Sequence, residues 1–257
     1  MNIRELINWK VFWILLSAGI FTNAAVLPYA LSLAGLHEAG LPVPLPIAVL
    51  VQIIQAAVLF AIMIFIGLLL GAKVGLGVPL VADWVTRKST KGRLRPLLTL
   101  SCTLGVVTGI SIFLMDRFVF AFFVEPITAS QAAPPLWQRV LASFYGGIGE
   151  EIAMRLFLMT LVVWIIFKFC KPKDNKLSDL GFWVAIIFAS CVFGLGHLPM
   201  TALFVEITPI VVTRAIVLNG IAGIVFGWLY WRKGLEAAMI SHFSADIALH
   251  VSLPLLF

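Results

Sequence analysis

The sequence Gly-Glu-Glu-Ile-Ala-Met-Arg occupies residues 149–155, in the middle of an apolar run that extends from 137 to 169. It contains three ionisable side chains, those of Glu150, Glu151 and Arg155. An apolar run of this length is typical of a membrane-spanning helix. Each charged side chain near the centre of such a helix costs about 2.5–3.5 kcal/mol on an insertion scale, so these residues indicate a functional site that faces the protein interior.

The composition of the whole chain agrees with a membrane protein. Of its 257 residues, 61% are hydrophobic and 12% are charged, which is outside the range of soluble domains. We predict an all-α polytopic membrane bundle that forms a single transmembrane domain over residues 1–257. Cys102, Cys170 and Cys191 have no Cys-x-x-Cys spacing, so neither a disulfide framework nor a thiolate metal site is expected.

Seven apolar runs are long enough to cross a bilayer, which requires about 20 residues each. They cover approximately 11–33, 46–70, 97–115, 137–169, 180–198, 209–231 and 235–253. The region 203–231 is interrupted by Pro209, Arg214 and Asn219, and two shorter helices there would raise the count to eight. The segment 78–85 is too short to span and is predicted to lie at the membrane interface.

The net charge of +6 comes from basic clusters in alternate connections. These clusters contain Arg4, Lys10, Lys73, Arg87, Lys88, Lys91, Arg93, Arg95, Lys168, Lys171, Lys173, Lys176, Arg232 and Lys233. The other connections carry His37, Glu38, Glu125 and Glu206. The positive-inside rule then predicts seven spans with a cytoplasmic amino terminus, so the basic charge reports topology and not nucleic-acid binding.

Helical geometry separates the charges of the first motif. Glu151 and Arg155 share a helix face at i, i+4 spacing, where an ion pair forms readily, while Glu150 points about 100° away. We therefore expect Arg155 to neutralise Glu151 and Glu150 to face a cavity, as a general base would. The alternative is a purely architectural network that ties the helix to its neighbours.

Two further polar insertions lie in later apolar runs. Phe193-Gly-Leu-Gly-His197 ends one run, and His242-Phe-Ser-Ala-Asp246 places a histidine and an aspartate on one helix face. His250 follows two turns after His242 and is expected to be an interfacial residue without a catalytic role. Because every one of these insertions carries a cost in the membrane, the three clusters together favour one functional site.

The order of these motifs resembles the CPBP family of intramembrane proteases, which includes CAAX prenyl endopeptidases and bacteriocin-processing or self-immunity proteins. The resemblance rests on Glu-Glu-x-x-x-Arg, Phe-x-x-x-His and His-x-x-x-Asp, each in its own run, and on Gly-Leu-Glu-Ala-Ala-Met-Ile just before His242. It implies a protease-like catalytic core over residues 137–250.

The resemblance also implies a role for each site residue. Glu150 would take a proton from the attacking water, His197 would help to hold that water, and Glu151 with Arg155 would form the supporting pair. His242 and residue 246 would stabilise the oxyanion, a contribution of about 3–4 kcal/mol per donor. The family usually has asparagine at the last position, and an ionised Asp246 cannot donate a hydrogen bond. Asp246 must then be protonated, orient His242, or bind a metal.

A metal mechanism therefore stays open at this point. Glu150, His197, His242 and Asp246 would make an acceptable ligand set for zinc, which lowers the pKa of bound water to about 7. The chain has no His-Glu-x-x-His motif. We favour a glutamate mechanism without a cofactor.

Counting about 1.5 Å per residue from the cytoplasmic helix ends reveals one inconsistency. Glu150 and His197 lie at similar depth, whereas His242 lies about 15 Å closer to the cytoplasm. Helix tilt, a broken penultimate helix or a different helix count would each remove this difference.

The sequence leaves two rival functions, a proton-coupled transporter and a non-catalytic immunity or scaffold protein of the membrane. The expected partners are membrane lipid and a membrane-associated or lipidated peptide, with no nucleic acid. The expected location is a prokaryotic plasma membrane.

Overall fold

The computed structural model describes residues 7–35, 43–124, 134–170 and 177–256. Within these ranges the regular secondary structure is helical and contains no strand, which confirms the all-α membrane bundle. Some residues used to predict the topology, His37, Glu38 and Glu125 among them, lie outside the described residues.

The described residues form eight helices in chain order. They are α1 (Trp9–Leu33), α2 (Leu45–Val74), α3 (Pro79–Val85), α4 (Leu94–Phe118), α5 (Leu136–Cys170), α6 (Asp179–Gly196), α7 (Pro209–Lys233) and α8 (Leu235–Leu256). A short turn of helix, Leu198–Thr201, extends α6. All except α3 are long and apolar enough to cross a membrane, so the prediction of seven spans is confirmed for this part of the chain.

The alternative of an eighth span was wrong, because the region that contains Pro209, Arg214 and Asn219 is the single helix α7. Pro209 occupies the first turn, where its fixed φ suits a helix and its missing N–H costs nothing. The Arg214 guanidinium binds the Asp116 carboxylate of α4 through two hydrogen bonds of 2.6 and 2.7 Å. The amide of Asn219 donates to the carbonyl oxygen of Ala215. Each polar group therefore has a partner, and the helix continues.

The short helix α3 is fixed against the start of α8. The backbone N–H of Val81 donates to Glu236 Oε1 at 2.8 Å, and the N–H of Leu235 donates to the carbonyl oxygen of Gly77 at 3.0 Å. Gly234, between α7 and α8, has a φ of 102°, and a Cβ at this position would collide with Pro79. Only glycine suits both the conformation and the close approach.

The protein core lies where α2, α5 and α7 meet. Ile64, Ile152, Leu156 and Phe226 are completely buried there. A Cβ at Gly67 of α2 would collide with the α5 backbone at Leu156, so the absence of a side chain lets these helices approach closely. The core therefore fixes the middle of α5, which is the part that carries the charged motif.

Helix α5 departs from regular α-helical geometry around that motif. The segments Tyr145–Glu150 and Ile152–Met159 are π-helical, and α8 has a similar segment at Ile247–Ser252. Such wide turns are rare and occur frequently at functional sites. The 100° per residue used to place Glu150 and Glu151 is therefore only approximate here.

The depth inconsistency disappears in the structure because α5 extends well beyond the end of α7. The hydroxyls of Thr160 and Tyr230 are 2.7 Å apart, which aligns the middle of α5 with the last turn of α7. From Thr160, α5 continues to Cys170, about 15 Å further at 1.5 Å per residue. The count of depth treated the end of α5 as level with the end of α7, and it therefore placed Glu150 too far from the cytoplasmic end of the bundle.

Candidate active site

The buried part of the site is the predicted ion pair on α5. Arg155 Nη1 lies 3.1 Å from Glu151 Oε1, and the two side chains are 2% and 0% exposed. A second nitrogen, Nη2, donates to the carbonyl oxygen of Gly223 on α7 at 3.4 Å. The charge of Glu151 is therefore compensated inside the protein, as the i, i+4 spacing predicted.

The same carboxylate binds the histidine of α8. His242 Nδ1 lies 2.8 Å from Glu151 Oε1, and the imidazole is buried. An ionised carboxylate only accepts hydrogen bonds, so Nδ1 carries the proton and donates. Glu151 thus fixes the orientation of the His242 ring and directs the other nitrogen, Nε2, away from itself.

Two acidic side chains face His242 Nε2. Glu150 Oε2 and Asp246 Oδ1 each lie 3.7 Å from it, and their side chains are 25% and 18% exposed. These separations are too long for a direct hydrogen bond and suit a bridging water. The cluster therefore has a sealed side, Arg155 and Glu151, and an accessible side, Glu150 and Asp246.

Two aromatic rings hold the charged groups in place. Phe226 stacks on His242 with ring centroids 4.6 Å apart, and the Arg155 guanidinium lies 5.4 Å from the same ring. Phe193 contacts His242 edge-on and lies 5.1 Å from the guanidinium. Both rings are buried, so they shield the ion pair from solvent and favour the cation through their π faces.

Glycines on α5 bring the acidic motif close to α8. A Cβ on Gly146 would collide with the carboxylate of Asp246 and lie 3.1 Å from His242 Nε2. A Cβ on Gly147 would lie 2.8 Å from Cβ of Phe243. Small residues permit such close packing of membrane helices. The contact of α5 with α8 therefore depends on these two positions.

His197 lies at the end of α6, next to this cluster. Its Nδ1 is 2.8 Å from the carbonyl oxygen of Phe193, which can only accept, so Nδ1 carries the proton in the neutral ring and Nε2 is an acceptor. Its ring also contacts Phe193, the residue that contacts His242. Among the described contacts, no hydrogen bond or ion pair joins the His197 ring to Glu150, His242 or Asp246.

His250 contacts the start of α5 through its backbone. Its carbonyl oxygen accepts a hydrogen bond from Arg139 Nη1 at 3.3 Å, and Arg139 also donates to the carbonyl oxygen of Pro134. The residue is exposed, and these bonds tie the start of α5 to the end of α8.

The candidate zinc ligands suggested by the sequence are Glu150, His197, His242 and Asp246. Over the described ranges, no group of three or more His, Cys, Asp and Glu side chains is arranged to hold a metal ion. His242 uses Nδ1 for Glu151, and its Nε2 lies 3.7 Å from each of two acids. The preference for a glutamate mechanism over a metal mechanism stays a prediction.

The structure thus brings together five of the predicted site residues, Glu150, Glu151, Arg155, His242 and Asp246, with His197 beside them. Sequence reasoning missed Gly146, Gly147 and Phe226. It also missed the contacts of Phe193 with the His242 ring and the Arg155 guanidinium. Gly-Gly-x-Gly directly before the glutamates was an available signal, since small residues often mark helix contacts. No local pattern identified Phe226.

The fold and the site define a polytopic helical membrane protein with a buried acid–base cluster of the kind that hydrolytic enzymes use. Residues 132–248 match the family described as Type II CAAX prenyl endopeptidase Rce1-like. This part of the chain contains all six predicted site residues, and the match confirms the resemblance to the CAAX proteases that the sequence motifs indicated. It supports, in general terms, the function of an intramembrane endopeptidase. No curated protein and no solved structure matches the chain.

Proposed function

We propose that this protein hydrolyses a peptide bond of a membrane-associated substrate with a water molecule that Glu150 activates. The observation that carries the proposal is the position of His242 Nε2, which lies 3.7 Å from both Glu150 and Asp246, the two acids of the cluster that remain partly exposed. A water and a substrate carbonyl can reach this side of the cluster, while Glu151 and Arg155 stay sealed behind it.

The first step is activation of water. A single water can hydrogen-bond to both Glu150 Oε2 and His242 Nε2 across their 3.7 Å separation. Glu150 accepts one proton from it, and the resulting hydroxide attacks the carbonyl carbon of the scissile bond. His197, whose Nε2 is the acceptor nitrogen, is next to the cluster and assists in holding the water.

The second step is stabilisation of the tetrahedral intermediate. Its oxyanion accepts a hydrogen bond from Nε2–H of His242, whose ring is the doubly protonated imidazolium because Nδ1–H donates to Glu151. It accepts a second hydrogen bond from a protonated Asp246. Glu150 then returns its proton to the leaving nitrogen, the C–N bond breaks, and a carboxylic acid and an amine are released. Glu151 and Arg155 act as positioning residues, because they hold the His242 ring through Nδ1.

The family match makes a prenylated CAAX-type peptide the first substrate to test, in a chain that we place in a prokaryotic plasma membrane. The proposed mechanism uses no metal, because Glu150 can act as a general base towards water by itself. The proposal therefore includes activity that persists in the presence of a chelator.

The test is detection of cleavage by mass spectrometry, with purified protein in lipid bilayers and a peptide library that contains prenylated, leader-type and transmembrane peptides. Glu150→Gln is compared with Glu206→Gln, which alters an exposed acid on the connection between α6 and α7. We expect cleavage by wild type and Glu206→Gln, with or without chelator, and a loss of at least about 10²-fold for Glu150→Gln.

Equal cleavage by Glu150→Gln and wild type would eliminate Glu150 as the base. Loss of cleavage in the presence of a chelator would contradict the metal-free mechanism and favour one that depends on a metal ion. Absence of cleavage by wild type, together with a proton flux that Glu150→Gln abolishes, would favour a transporter.

A further inference from the structure

The segment that joins α2 to α4 carries most of the net charge of the protein. Between Lys73 and Arg95 it has six basic residues and one acidic residue, Asp83, so its net charge of +5 accounts for most of the +6 of the chain. Arg87, Lys88, Lys91, Arg93 and Arg95 are all exposed. We call residues 79–95 the basic platform.

An apolar cavity opens beside these charges. Its volume is about 300 Å³, and it is lined by Leu80, Val81, Trp84, Thr90, Leu94 and Glu236. Trp84 is 69% exposed at its rim, and the lining residues Thr90 and Leu94 are each followed in the chain by a basic residue, Lys91 and Arg95. Apolar space and positive charge are therefore adjacent.

The basic platform is held in place by contacts with the rest of the protein. Arg93 Nη1 binds Asp83 Oδ2 at 2.6 Å, and the Glu236 carboxylate in the cavity wall accepts the hydrogen bond from Val81 N–H at 2.8 Å. Arg93 and Glu236 thus already have partners within the protein. Arg87, Lys88, Lys91 and Arg95 are in none of the ion pairs found in the described part of the chain, so their charges are available to a ligand.

We propose that the basic platform binds an anionic phospholipid of the surrounding bilayer. Part of one acyl chain enters the cavity between Leu80, Trp84 and Leu94, and the phosphate of the headgroup lies at the rim against Lys91 and Arg95. Tryptophan is favoured at the interfacial depth where a headgroup meets its chains, and clustered basic residues attract anionic lipid. This inference is independent of the proposed protease function.

The test is the binding of phosphatidylglycerol and phosphatidylcholine to the purified full-length protein in detergent, measured by native mass spectrometry. The variant Lys91→Gln/Arg95→Gln is compared with Lys171→Gln/Lys173→Gln, which removes the same charge from another basic connection. Thermal unfolding of both variants checks their folding. We expect wild type and the control to prefer phosphatidylglycerol, and binding by Lys91→Gln/Arg95→Gln to be about 30-fold weaker, since each basic residue contributes about fivefold.

A second measurement locates the acyl chain. Phosphatidylglycerol brominated on its chains quenches tryptophan fluorescence at short range, so Trp84→Phe should reduce the quenching that the brominated lipid causes in the wild type. Equal binding of the two lipids, or equal loss in both double variants, would overturn the proposal. Full competition by inorganic phosphate would show a site for free anions and would also overturn it.

Discussion

At the scale of single residues, Glu151 is the acceptor for two buried partners on different helices, Arg155 and His242. Its carboxylate neutralises Arg155 at 3.1 Å and accepts the hydrogen bond from His242 at 2.8 Å, with no exposure to solvent. Removing one member of a buried ion pair leaves an uncompensated charge, which typically costs 3–5 kcal/mol. The pair Glu151–Arg155 should therefore be more important for folding than the partly exposed Glu150.

The first prediction follows from that difference. We expect Arg155→Met to lower the free energy of unfolding by about 3–5 kcal/mol, because Glu151 is then buried without its counter-ion. Glu150→Gln should change it by less than about 1 kcal/mol, since Glu150 is partly exposed. Thermal unfolding in detergent measures both variants.

The double variant Glu151→Leu/Arg155→Met is the control for this interpretation. Replacing a buried ion pair by apolar side chains is often close to neutral, so much of the stability should return although activity does not. A double variant as unstable as Arg155→Met would show that the loss comes from packing and not from an unpaired charge.

The second prediction concerns Asp246. In the proposed mechanism it donates a hydrogen bond only when protonated, so cleavage falls as rising pH removes that proton. Asp246→Asn carries N–H donors at every pH. We therefore expect the variant to remain active and to lose the decline at high pH, as measured by kcat/KM against pH.

Asp246→Ala is the matched variant for this experiment. It should lose about 10²–10³-fold in kcat at all pH values, the usual effect of removing one oxyanion donor. If Asp246→Asn were as inactive as Asp246→Ala, the negative charge and not the donor would be required. Asp246 would then orient His242 as a carboxylate.

Much of the residue-level site was predictable, because each of its charges stands out in an apolar run. Glu151 with Arg155 followed from the i, i+4 spacing, and His242 with Asp246 from the same rule. The bond from His242 to Glu151 was not predictable, because it joins α5 to α8 across 91 positions of the chain. Helical periodicity says nothing about which faces of distant helices meet.

At the scale of elements, the distance between α5 and α8 determines whether this site exists. Gly146 faces Asp246 and His242 so closely that a methyl group has no space. Adding a methyl group to a closely packed position typically costs 1–3 kcal/mol. A methyl group at Gly146 would push α5 away from α8 and so also separate Glu150 from His242.

The third prediction is therefore that Gly146→Ala reduces cleavage by at least about tenfold and stability by about 1–3 kcal/mol. Gly220→Ala on α7 is the matched control, since a Cβ at Gly220 meets no atom within 4 Å. Peptide cleavage and thermal unfolding are measured for both. Normal activity of Gly146→Ala would show that α5 and α8 need not approach this closely.

The helices themselves were predictable and their relative depth was not. The hydropathy of each run gave its span to within a few residues, for example 46–70 predicted and Leu45–Val74 observed. Depth depends on single contacts such as Thr160 with Tyr230, and on the length by which α5 exceeds a bilayer. The π-helical turns of α5 were likewise not predicted, because hydropathy is insensitive to them.

At the scale of the whole molecule, tertiary contacts join helix ends that the predicted topology places on the same side of the membrane. Arg232 of α7 forms an ion pair with Asp179 of α6, and the N–H of Leu235 donates to the carbonyl oxygen of Gly77. All of these residues lie at helix ends that are next to basic connections. Asp116 and Arg214 meet at the other side of the bundle, near the end of α4 and the start of α7. The alternation of charge along the sequence therefore agrees with the order of the helices.

The fourth prediction tests this topology in cells. In a background with Cys102, Cys170 and Cys191 replaced by serine, Lys88→Cys and Glu206→Cys are labelled separately with a membrane-impermeant maleimide. Three spans, α4, α5 and α6, separate the two positions, so they must lie on opposite sides. The positive-inside rule places position 88 in the cytoplasm. We expect Glu206→Cys to react in intact cells and Lys88→Cys only after permeabilisation. Labelling of both positions in intact cells would contradict the arrangement of seven spans.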